Sequence, residues 1–316
     1  MQNWSNDKHS PVVVVFFLFE KFSNLCLANC LEPLRAVNDY SEREIFKWIF
    51  ASVKGGPILS SSGLPVMTEP TSINFKQIDY LCVTSSYDYR SHANKECSRT
   101  IRILASKSKN LIGLDTGSWL LAKAGLLDDY NATIHWDVFD EFSENFLSLT
   151  AIKERVVIDR SRITCAGAMS AFEVTRRIIE NHSNKLMALN VDSLFMRDNR
   201  YSSHTSNEYV LESNFVDRAI TLMRENIENP LKLSEISKII SCPQKTLARR
   251  FQVKIQISPG KLYREIRLTH ARHLLTTTNL PIYEIALRCG YDNPSAFTRA
   301  YKKQFKTQPR QEKTNL

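Results

Sequence analysis

The sequence predicts two domains of different class, first an α/β domain with a mostly parallel sheet and then an all-α domain. Up to about residue 197, short apolar runs rich in β-branched residues alternate with segments of helical periodicity. Beyond residue 210 these runs stop, and helical patterns follow one another with short breaks that contain Pro, Asn or Gly. A length of 316 residues with 43% hydrophobic and 24% charged residues fits a globular chain of about two domains.

The first 197 residues contain six strand signals. The run VVVVFFL at residues 12–18 is continuous and apolar, which is typical of a strand buried on both faces. Helical segments separate such runs, so a parallel sheet with helices on both sides is expected. The predicted strands are residues 12–18, 45–51, 78–84, 111–114, 156–158 and 163–165, and the predicted helices are 25–38, 94–106, 118–124, 168–180 and 185–197. The predicted organisation is a domain over 1–197, a polar linker over 198–213 and a helical domain over 214–316.

All of the excess positive charge lies in the helical part. Residues 211–316 contain 19 Lys and Arg against 9 Asp and Glu, a net charge of +10, which leaves −1 for residues 1–210. A neutral part joined to a basic part indicates a sensing module attached to one that binds a polyanion, with a solubilising surface as the alternative. The apolar runs are too short for a membrane span, and seven scattered cysteines without a CxxC pair argue against a disulfide framework or zinc site. We expect a cytoplasmic protein that uses no metal or cofactor.

The helical part contains an internal repeat. Leu233–Pro259 and Ile282–Pro309 each have the pattern of a short helix, a tight turn and a second helix. Glu235 and Ile236 match the second copy at an offset of 49, and the apolar and basic positions of the second helix match at an offset of 50. This is the layout of a helix-turn-helix, so the sequence predicts two such motifs.

The second helix of each copy has an apolar face and a polar, basic face. The apolar residues are Leu247 and Phe251 in the first copy and Phe297, Tyr301 and Phe305 in the second. Arg and Lys can contact phosphates or guanine, Gln can pair with adenine, and Ser or Thr can contact either base or phosphate. For a single helix a solvated face is the better interpretation, but two copies at matched spacing in the basic part favour DNA binding. The candidate DNA-binding residues are Gln244, Lys245, Thr246, Arg249, Arg250, Ser295, Thr298, Arg299, Lys302 and Lys303.

Residues 211–316 resemble the DNA-binding domain of AraC/XylS-type transcriptional regulators. The agreement is strongest over Ile282–Pro309, where I-x-E-I-A-x-x-x-G-Y-x-x-x-S-x-F-x-R-x-Y-K-x-x-F-x-x-x-P keeps turn, core and contact positions in order. The resemblance implies that a long helix at about 259–276 joins two helix-turn-helix units, which enter successive major grooves about 34 Å apart. The first copy has Ile255-Gln256-Ile257 where a glycine is common. Double-stranded promoter DNA, RNA polymerase and a second copy of the chain are the partners that the resemblance implies.

The segment Ile112–Trp136 has the pattern of a strand, a tight turn and a helix. A strand that ends at Leu114, a turn with Gly117 and a helix from Ser118 would lift the turn residue above the sheet. The pattern resembles the PfpI-like, class I glutamine amidotransferase-like domain found in one branch of AraC-type regulators, which implies a flavodoxin-like fold over about residues 12–197. In that family the glutamate corresponding to Glu32 lies near the turn.

Enzymes of that superfamily use a cysteine at the turn, where this sequence has Asp115. His135 then has no matching thiol to activate, and no motif supplies the rest of a mechanism for a carboxylate nucleophile. We therefore expect no catalytic residue and no enzyme activity. The alternative from a different class is a PfpI-like amidase or hydrolase with a nucleic-acid-binding tail.

The expected role of the first domain is ligand sensing. A carboxylate flanked by indoles suits a cationic head, especially a quaternary ammonium group held by cation–π attraction, and Arg35 could bind a carboxylate on the same ligand. Helix capping by Asp115, core packing of the tryptophans, a hydrogen-bonding role for His135 and pairing of Arg35 with Glu32 or Asp39 are the alternatives. The candidate ligand-binding residues are Asp115, Trp119, His135, Trp136, Glu32 and Arg35.

The complete chain is similar to regulators of carnitine and glycine betaine catabolism, which share the Asp-containing GLDTG turn. The sequence therefore predicts a sequence-specific activator of a catabolic operon that responds to a small amine or quaternary ammonium metabolite.

Overall fold

A computed structural model describes residues 10–195, except 42, 73, 74 and 76, and residues 207–313. The chain divides into two compact units between Phe195 and Met196, here called the N-terminal and C-terminal domains. Within the described ranges, no helix is both long and apolar enough to cross a membrane.

The N-terminal domain is built on an eight-stranded, mostly parallel sheet. Its strand order is β3-β4-β2-β1-β5-β6-β10-β9, and the pairs β3–β4 and β9–β10 are antiparallel. A separate parallel pair, β7–β8, lies outside this sheet. The strands are β1 Val12–Leu18, β2 Phe46–Ser52, β3 Gly56–Leu59, β4 Pro65–Pro70, β5 Ile78–Ser85, β6 Ser108–Asp115, β7 Asn131–Ala132, β8 Thr150–Ala151, β9 Val156–Asp159 and β10 Arg162–Cys165.

Helices cover both faces of the sheet. Strand β1 shows why: Phe16 lies in one buried cluster and Phe17 in the other, because successive side chains of a strand point to opposite faces. One cluster contains residues of α1, α6 and α7, and the other contains residues of α3 and α4. The helices are α1 Asn24–Tyr40, α2 Tyr89–His92, α3 Lys95–Ala105, α4 Gly117–Lys123, α5 Phe139–Asn145, α6 Ala168–His182 and α7 Lys185–Leu194. The predicted α/β flavodoxin-like class is confirmed.

Several elements of the N-terminal domain were absent from the sequence prediction. The β3–β4 hairpin contains Pro57, Pro65 and Pro70, and proline within an apolar run argues against a strand except at a sheet edge. The structure places β3 at that edge. Helices α2 and α5 and the pair β7–β8 are too short to show a periodic pattern.

The C-terminal domain is all-α, as predicted. Helices α8, α9 and α10 pack on one another and on α11, and α12, α13 and α14 pack around the other part of α11. The predicted joining helix corresponds to α11. The helices are α8 Asn207–Glu225, α9 Leu233–Ile239, α10 Gln244–Lys254, α11 Pro259–Thr277, α12 Ile282–Arg288, α13 Pro294–Phe305 and α14 Pro309–Lys313.

The predicted linker needs a correction. Helix α8 begins at Asn207, so residues 207–213 of the predicted linker are helical, and residues 198–206 lie outside the described residues. The physical reason is propagation: once the buried face from Val216 to Met223 holds a helix, each further residue adds one hydrogen bond even in polar sequence.

The repeat extends to backbone conformation. The turn between the first two helices of each unit has a left-handed residue, Ser241 with φ 55° and Gly290 with φ 70°. A second left-handed residue follows α10 and ends α13, Gln256 with φ 65° and Lys306 with φ 61°. Gln256 therefore adopts the conformation for which glycine is common, within the Ile255–Ile257 segment that departs from the pattern.

Candidate effector site and candidate nucleic-acid interface

Asp115 occupies the tight turn between β6 and α4. Its backbone is left-handed with φ 60°, an uncommon conformation for a residue other than glycine. The turn is closely packed, because a Cβ atom on Gly117 would collide with the carbonyl oxygen of Val83 and lie 2.9 Å from the carbonyl carbon. A Cβ on Gly113 would lie 2.6 Å from the Oγ of Ser118. The predicted strand, turn and helix thus form the strained elbow that presents a side chain above a parallel sheet.

The carboxylate of Asp115 is buried among polar and charged groups. Burial raises its pKa, and the attraction of His135 and hydrogen bonds from the Ser86 side chain and the Thr116 backbone N–H oppose that rise. Asp137 adds a repulsion that raises the pKa further. Thr116, rather than Asp115, is the N-cap residue of α4. The helix-capping alternative for Asp115 therefore does not describe its position.

His135 interacts electrostatically with Asp115 and lies next to a second carboxylate, that of Asp137. Its Nδ1 accepts a hydrogen bond from the backbone N–H of Asp137 at 3.4 Å and lies 3.6 Å from the Asp137 Oδ2. His135 also caps a short 3-10 helix, Trp136–Val138, which fixes where its ring lies. The site therefore contains two carboxylates, buried Asp115 and exposed Asp137, that both interact with the His135 imidazole.

Two cysteines lie beside the elbow, but neither is at the turn. Cys165 ends β10, where its thiol contacts the Asp115 backbone N–H and the Gly167 carbonyl oxygen. Burial raises the pKa of Cys165 to about 12 and raises that of Cys26, on α1, well above its usual range. Protonated, buried thiols are poor nucleophiles, so the thiolate chemistry of the superfamily is not supplied by these neighbours.

The two candidate tryptophans have different environments. Trp119 is buried, with its ring centroid 5.1 Å from that of Tyr89 and 5.0 Å from that of Phe146, both edge-on. This is the core-packing alternative. Trp136 is 71% exposed, and its ring lies 5.8 Å from that of His135. Trp136 therefore lies beside His135, whereas Trp119 is packed in the core.

Glu32 and Arg35 form a separate surface network on α1. The guanidinium of Arg35 donates to Glu32 at 2.8 Å and to Asp39 at 2.5 Å. Cys26, nearly two turns before Glu32 on α1, is close enough to Asp115 for the carboxylate to raise its pKa. Glu32 is thus paired with Arg35 on the surface of α1, and its proximity to the turn stays a prediction.

Sequence reasoning missed Ser86, Asp137, Cys26 and Cys165 as neighbours of Asp115. A signal existed for Ser86, since it follows β5 and the ends of adjacent parallel strands meet at one edge. Among the described residues, no group of three or more His, Cys, Asp and Glu could hold a metal ion.

Helices α10 and α13 present most of the candidate DNA-binding residues to solvent. Their apolar sides are buried through Leu247 and Phe251 in α10 and through Phe297 and Tyr301 in α13, as predicted. Thr246 and Thr298 are half-buried, and the hydroxyl of Thr298 donates to the Pro294 carbonyl oxygen at 2.9 Å. The exposed candidates are Gln244, Lys245, Arg249, Ser295, Arg299, Lys302 and Lys303.

Arg250 differs from the other candidates, because its guanidinium is partly buried. Its guanidinium nitrogens Nε and Nη1 are buried, and its guanidinium carbon lies 4.6 Å from the centroid of the Phe215 ring on α8. A guanidinium stacked on an aromatic ring in this way connects α10 to α8. Arg250 therefore packs against α8 and, unlike the other basic candidates, is not exposed.

Residues 236–315 match a helix-turn-helix domain family. The HTH-type transcriptional regulator CdhR of Pseudomonas aeruginosa is 30% identical over 307 residues, which cover 95% of this chain and 91% of the relative. The HTH-type transcriptional regulator GbdR of the same species is 27% identical over 310 residues, which cover 96% and 84%.

Solved structures resemble the chain in fold. An AraC family transcriptional regulator from Pseudomonas putida has a TM-score of 0.52 and 24% identity, covering 58% of this chain and all of that one. A ThiJ/PfpI family protein from Pseudomonas syringae has a TM-score of 0.52 and 15% identity, covering 83% and 97%. The chain therefore belongs to the AraC family of HTH-type transcriptional regulators, with a PfpI-like domain preceding its DNA-binding domain.

Proposed function

We propose that this regulator activates transcription of a catabolic operon when a small amine or quaternary ammonium metabolite binds beside Asp115. The observation that carries the proposal is a buried carboxylate held in a left-handed elbow, at the position where related enzymes have a thiol. Keeping a carboxylate in such a place costs stability, and strained or unfavourably buried groups of this kind concentrate at functional sites.

A cationic ligand would offset that cost. Burial disfavours the ionised form of Asp115, and a cation beside it would favour the ionised form again. Trp136 is exposed next to His135 and offers an aromatic face to a quaternary ammonium group. Arg35 is already paired with two carboxylates, so we restrict the proposed site to Asp115, Ser86, His135 and Trp136.

The effector would act by binding one arrangement of the protein better than another, since only such a difference can shift an equilibrium. Promoter DNA would be contacted by the exposed residues of α10 and α13. We also propose a homodimer and a contact with RNA polymerase, as the resemblance to AraC-type regulators implies. No catalytic step is proposed, because the thiols beside the elbow keep their protons.

The test is a thermal-shift screen of the full-length protein with glycine betaine, carnitine, dimethylglycine and arginine, followed by in vitro transcription with any compound that binds. We expect a shift with a betaine-type compound in the natural protein and none in Asp115→Asn, which keeps the shape but loses the charge. Lys123→Gln, an exposed change at the end of α4, is the matched control and should leave the shift unchanged. A flat response across the panel, or an equal shift in Asp115→Asn, would overturn the proposal.

A further inference from the structure

An arginine of α11 binds the turn of the second helix-turn-helix unit, in addition to the apolar packing of α11 on α12 and α13. The guanidinium of Arg267 donates from Nε to the Cys289 carbonyl oxygen at 2.7 Å and from Nη2 to the Gly290 carbonyl oxygen at 2.5 Å. Its guanidinium carbon also lies 4.2 Å from the centroid of the Tyr291 ring. These contacts hold the turn between α12 and α13, and therefore fix where α13 begins.

The first unit is fastened to the same side of α11 by a tyrosine one turn earlier. The hydroxyl of Tyr263 donates to the Asn226 carbonyl oxygen at 2.6 Å and accepts from the Leu231 backbone N–H at 3.1 Å. Residues 226–232 connect α8 to α9. Because residues four apart lie on one face of a helix, Tyr263 and Arg267 hold one segment of each unit side by side.

The two fastened segments touch at Gly290. A Cβ atom there would lie 2.6 Å from the Cδ of Pro230 and 2.8 Å from the carbonyl oxygen of Ile227. Gly290 also has φ 70°, which disfavours any side chain. The turn of the second unit therefore rests directly on the connecting segment of the first, against the Pro230 ring and the Ile227 carbonyl oxygen.

We infer that Tyr263, Arg267 and Gly290 form a lock that sets the separation and angle between α10 and α13. They are positioning residues for DNA recognition. Here a half-site is the stretch of DNA contacted by α10 or by α13 of one chain, and these residues determine which spacing between the two half-sites the chain accepts. Each added base pair turns the second half-site by about 34° around the duplex, so a fixed pair of helices should reject altered spacings. The inference rests on the proposed role of α10 and α13 as the helices that contact DNA.

The experiment begins with the operator that the full-length protein selects from a random duplex library. Binding is then measured on that operator, on versions with one base pair inserted or removed between the half-sites, and on each half-site alone. For the natural protein we expect each spacing change to weaken binding by about tenfold, similar to one poor base-pair match.

Two variants test the lock. Tyr263→Phe removes only the hydroxyl. Arg267→Gln removes the guanidinium that donates to the carbonyl oxygens of Cys289 and Gly290. In both we expect the spacing penalty to fall to about twofold, while affinity for a single half-site changes by less than about twofold. Arg264→Gln removes an exposed charge from the same helix and is the matched control, for which the spacing penalty should remain.

The outcomes separate the lock from simpler explanations. An undiminished spacing penalty in Tyr263→Phe, with its melting temperature near that of the natural protein, would refute the lock. So would an equal loss on single half-sites and on the full operator, because that pattern indicates damage to the units themselves. If the natural protein selected no operator, the proposed DNA-contacting helices would be refuted instead.

Discussion

The carboxylate of Asp115 lies within electrostatic reach of the His135 imidazole, and their attraction opposes the rise in the Asp115 pKa that burial causes. The same imidazole faces Asp137 through Nδ1 at 3.6 Å. One histidine therefore interacts with both a buried and an exposed carboxylate. A ligand cation beside Asp115 would favour the ionised carboxylate, as His135 does. Ligand binding and the ionisation of Asp115 would therefore be coupled.

Replacing Asp115 with Asn should stabilise the N-terminal domain at neutral pH, by roughly 1 kcal/mol. The pKa of Asp115 is raised in the folded state, so its favourable contribution is complete below its unfolded pKa, about 3.9. That contribution is lost as the pH rises through the folded pKa. The advantage of Asp115→Asn should therefore grow from about pH 4 upward and then level off.

Urea unfolding followed by tryptophan fluorescence measures this effect. All four tryptophans, Trp4, Trp48, Trp119 and Trp136, precede the C-terminal domain, so their signal reports on the N-terminal domain alone. Glu144→Gln is a suitable control, because that side chain is exposed on α5 and has no part in the interactions of Asp115. An advantage of Asp115→Asn that shrank with rising pH would contradict the burial argument.

Glycine at the left-handed positions of the first unit should stabilise the C-terminal domain. Ser241 and Gln256 carry side chains at φ 55° and 65°, whereas the second unit has Gly290 at the position matching Ser241. Relief of the left-handed strain should outweigh the entropy of glycine, giving about 0.5–1 kcal/mol for Ser241→Gly or Gln256→Gly. Thermal unfolding followed by circular dichroism is the measurement. Gln252→Gly, inside the exposed face of α10, should have the opposite sign and cost about 1 kcal/mol.

Removing Glu312 should destabilise the second unit far more than removing a surface acid. Glu312 is 11% exposed, accepts from Arg272 Nε at 2.6 Å and also accepts from the Tyr301 hydroxyl. Glu312→Ala would remove an acceptor from the buried Tyr301 hydroxyl and from the half-buried Arg272 guanidinium, at a cost of about 2–3 kcal/mol. Glu284→Ala breaks the comparable but more exposed pair with Arg288, and should cost about 0.5 kcal/mol. Equal melting temperatures for the two variants would contradict this prediction.

The sequence predicts the elbow well because that feature is local. Strand β6, the turn at Asp115 and helix α4 are contiguous, and Gly117 supplies the required close approach to Val83. The surroundings of Asp115 could not be predicted in the same way, since Cys26 and Cys165 reach it from distant parts of the chain. Their proximity depends on the order of strands in the sheet, which periodicity does not encode.

A similar limit explains the two misplaced side chains. Helical periodicity places Arg250 beside Arg249 at the edge of the polar face, but Phe215 from another helix binds its guanidinium. Trp119 lies on a helix whose seven residues are nearly all buried, so its aromatic neighbours come from α2 and α5. In both cases helical periodicity does not determine the environment of the side chain, because the neighbouring residues come from other helices.

Arg249→Ala and Arg299→Ala should weaken binding to a specific promoter by about 1–3 kcal/mol if these exposed residues contact base edges. Contacts to phosphate alone would instead weaken binding to unrelated DNA by the same amount, so gel shifts on both duplexes distinguish the two roles.

Lys302→Ala and Lys303→Ala should each reduce the salt dependence of binding, with the slope of log K against log salt falling by about 1. Arg250→Ala is the informative contrast: because its guanidinium packs on Phe215, we expect a lower melting temperature and an unchanged salt slope. A reduced salt slope in Arg250→Ala would place its charge at the DNA and reverse the assignment.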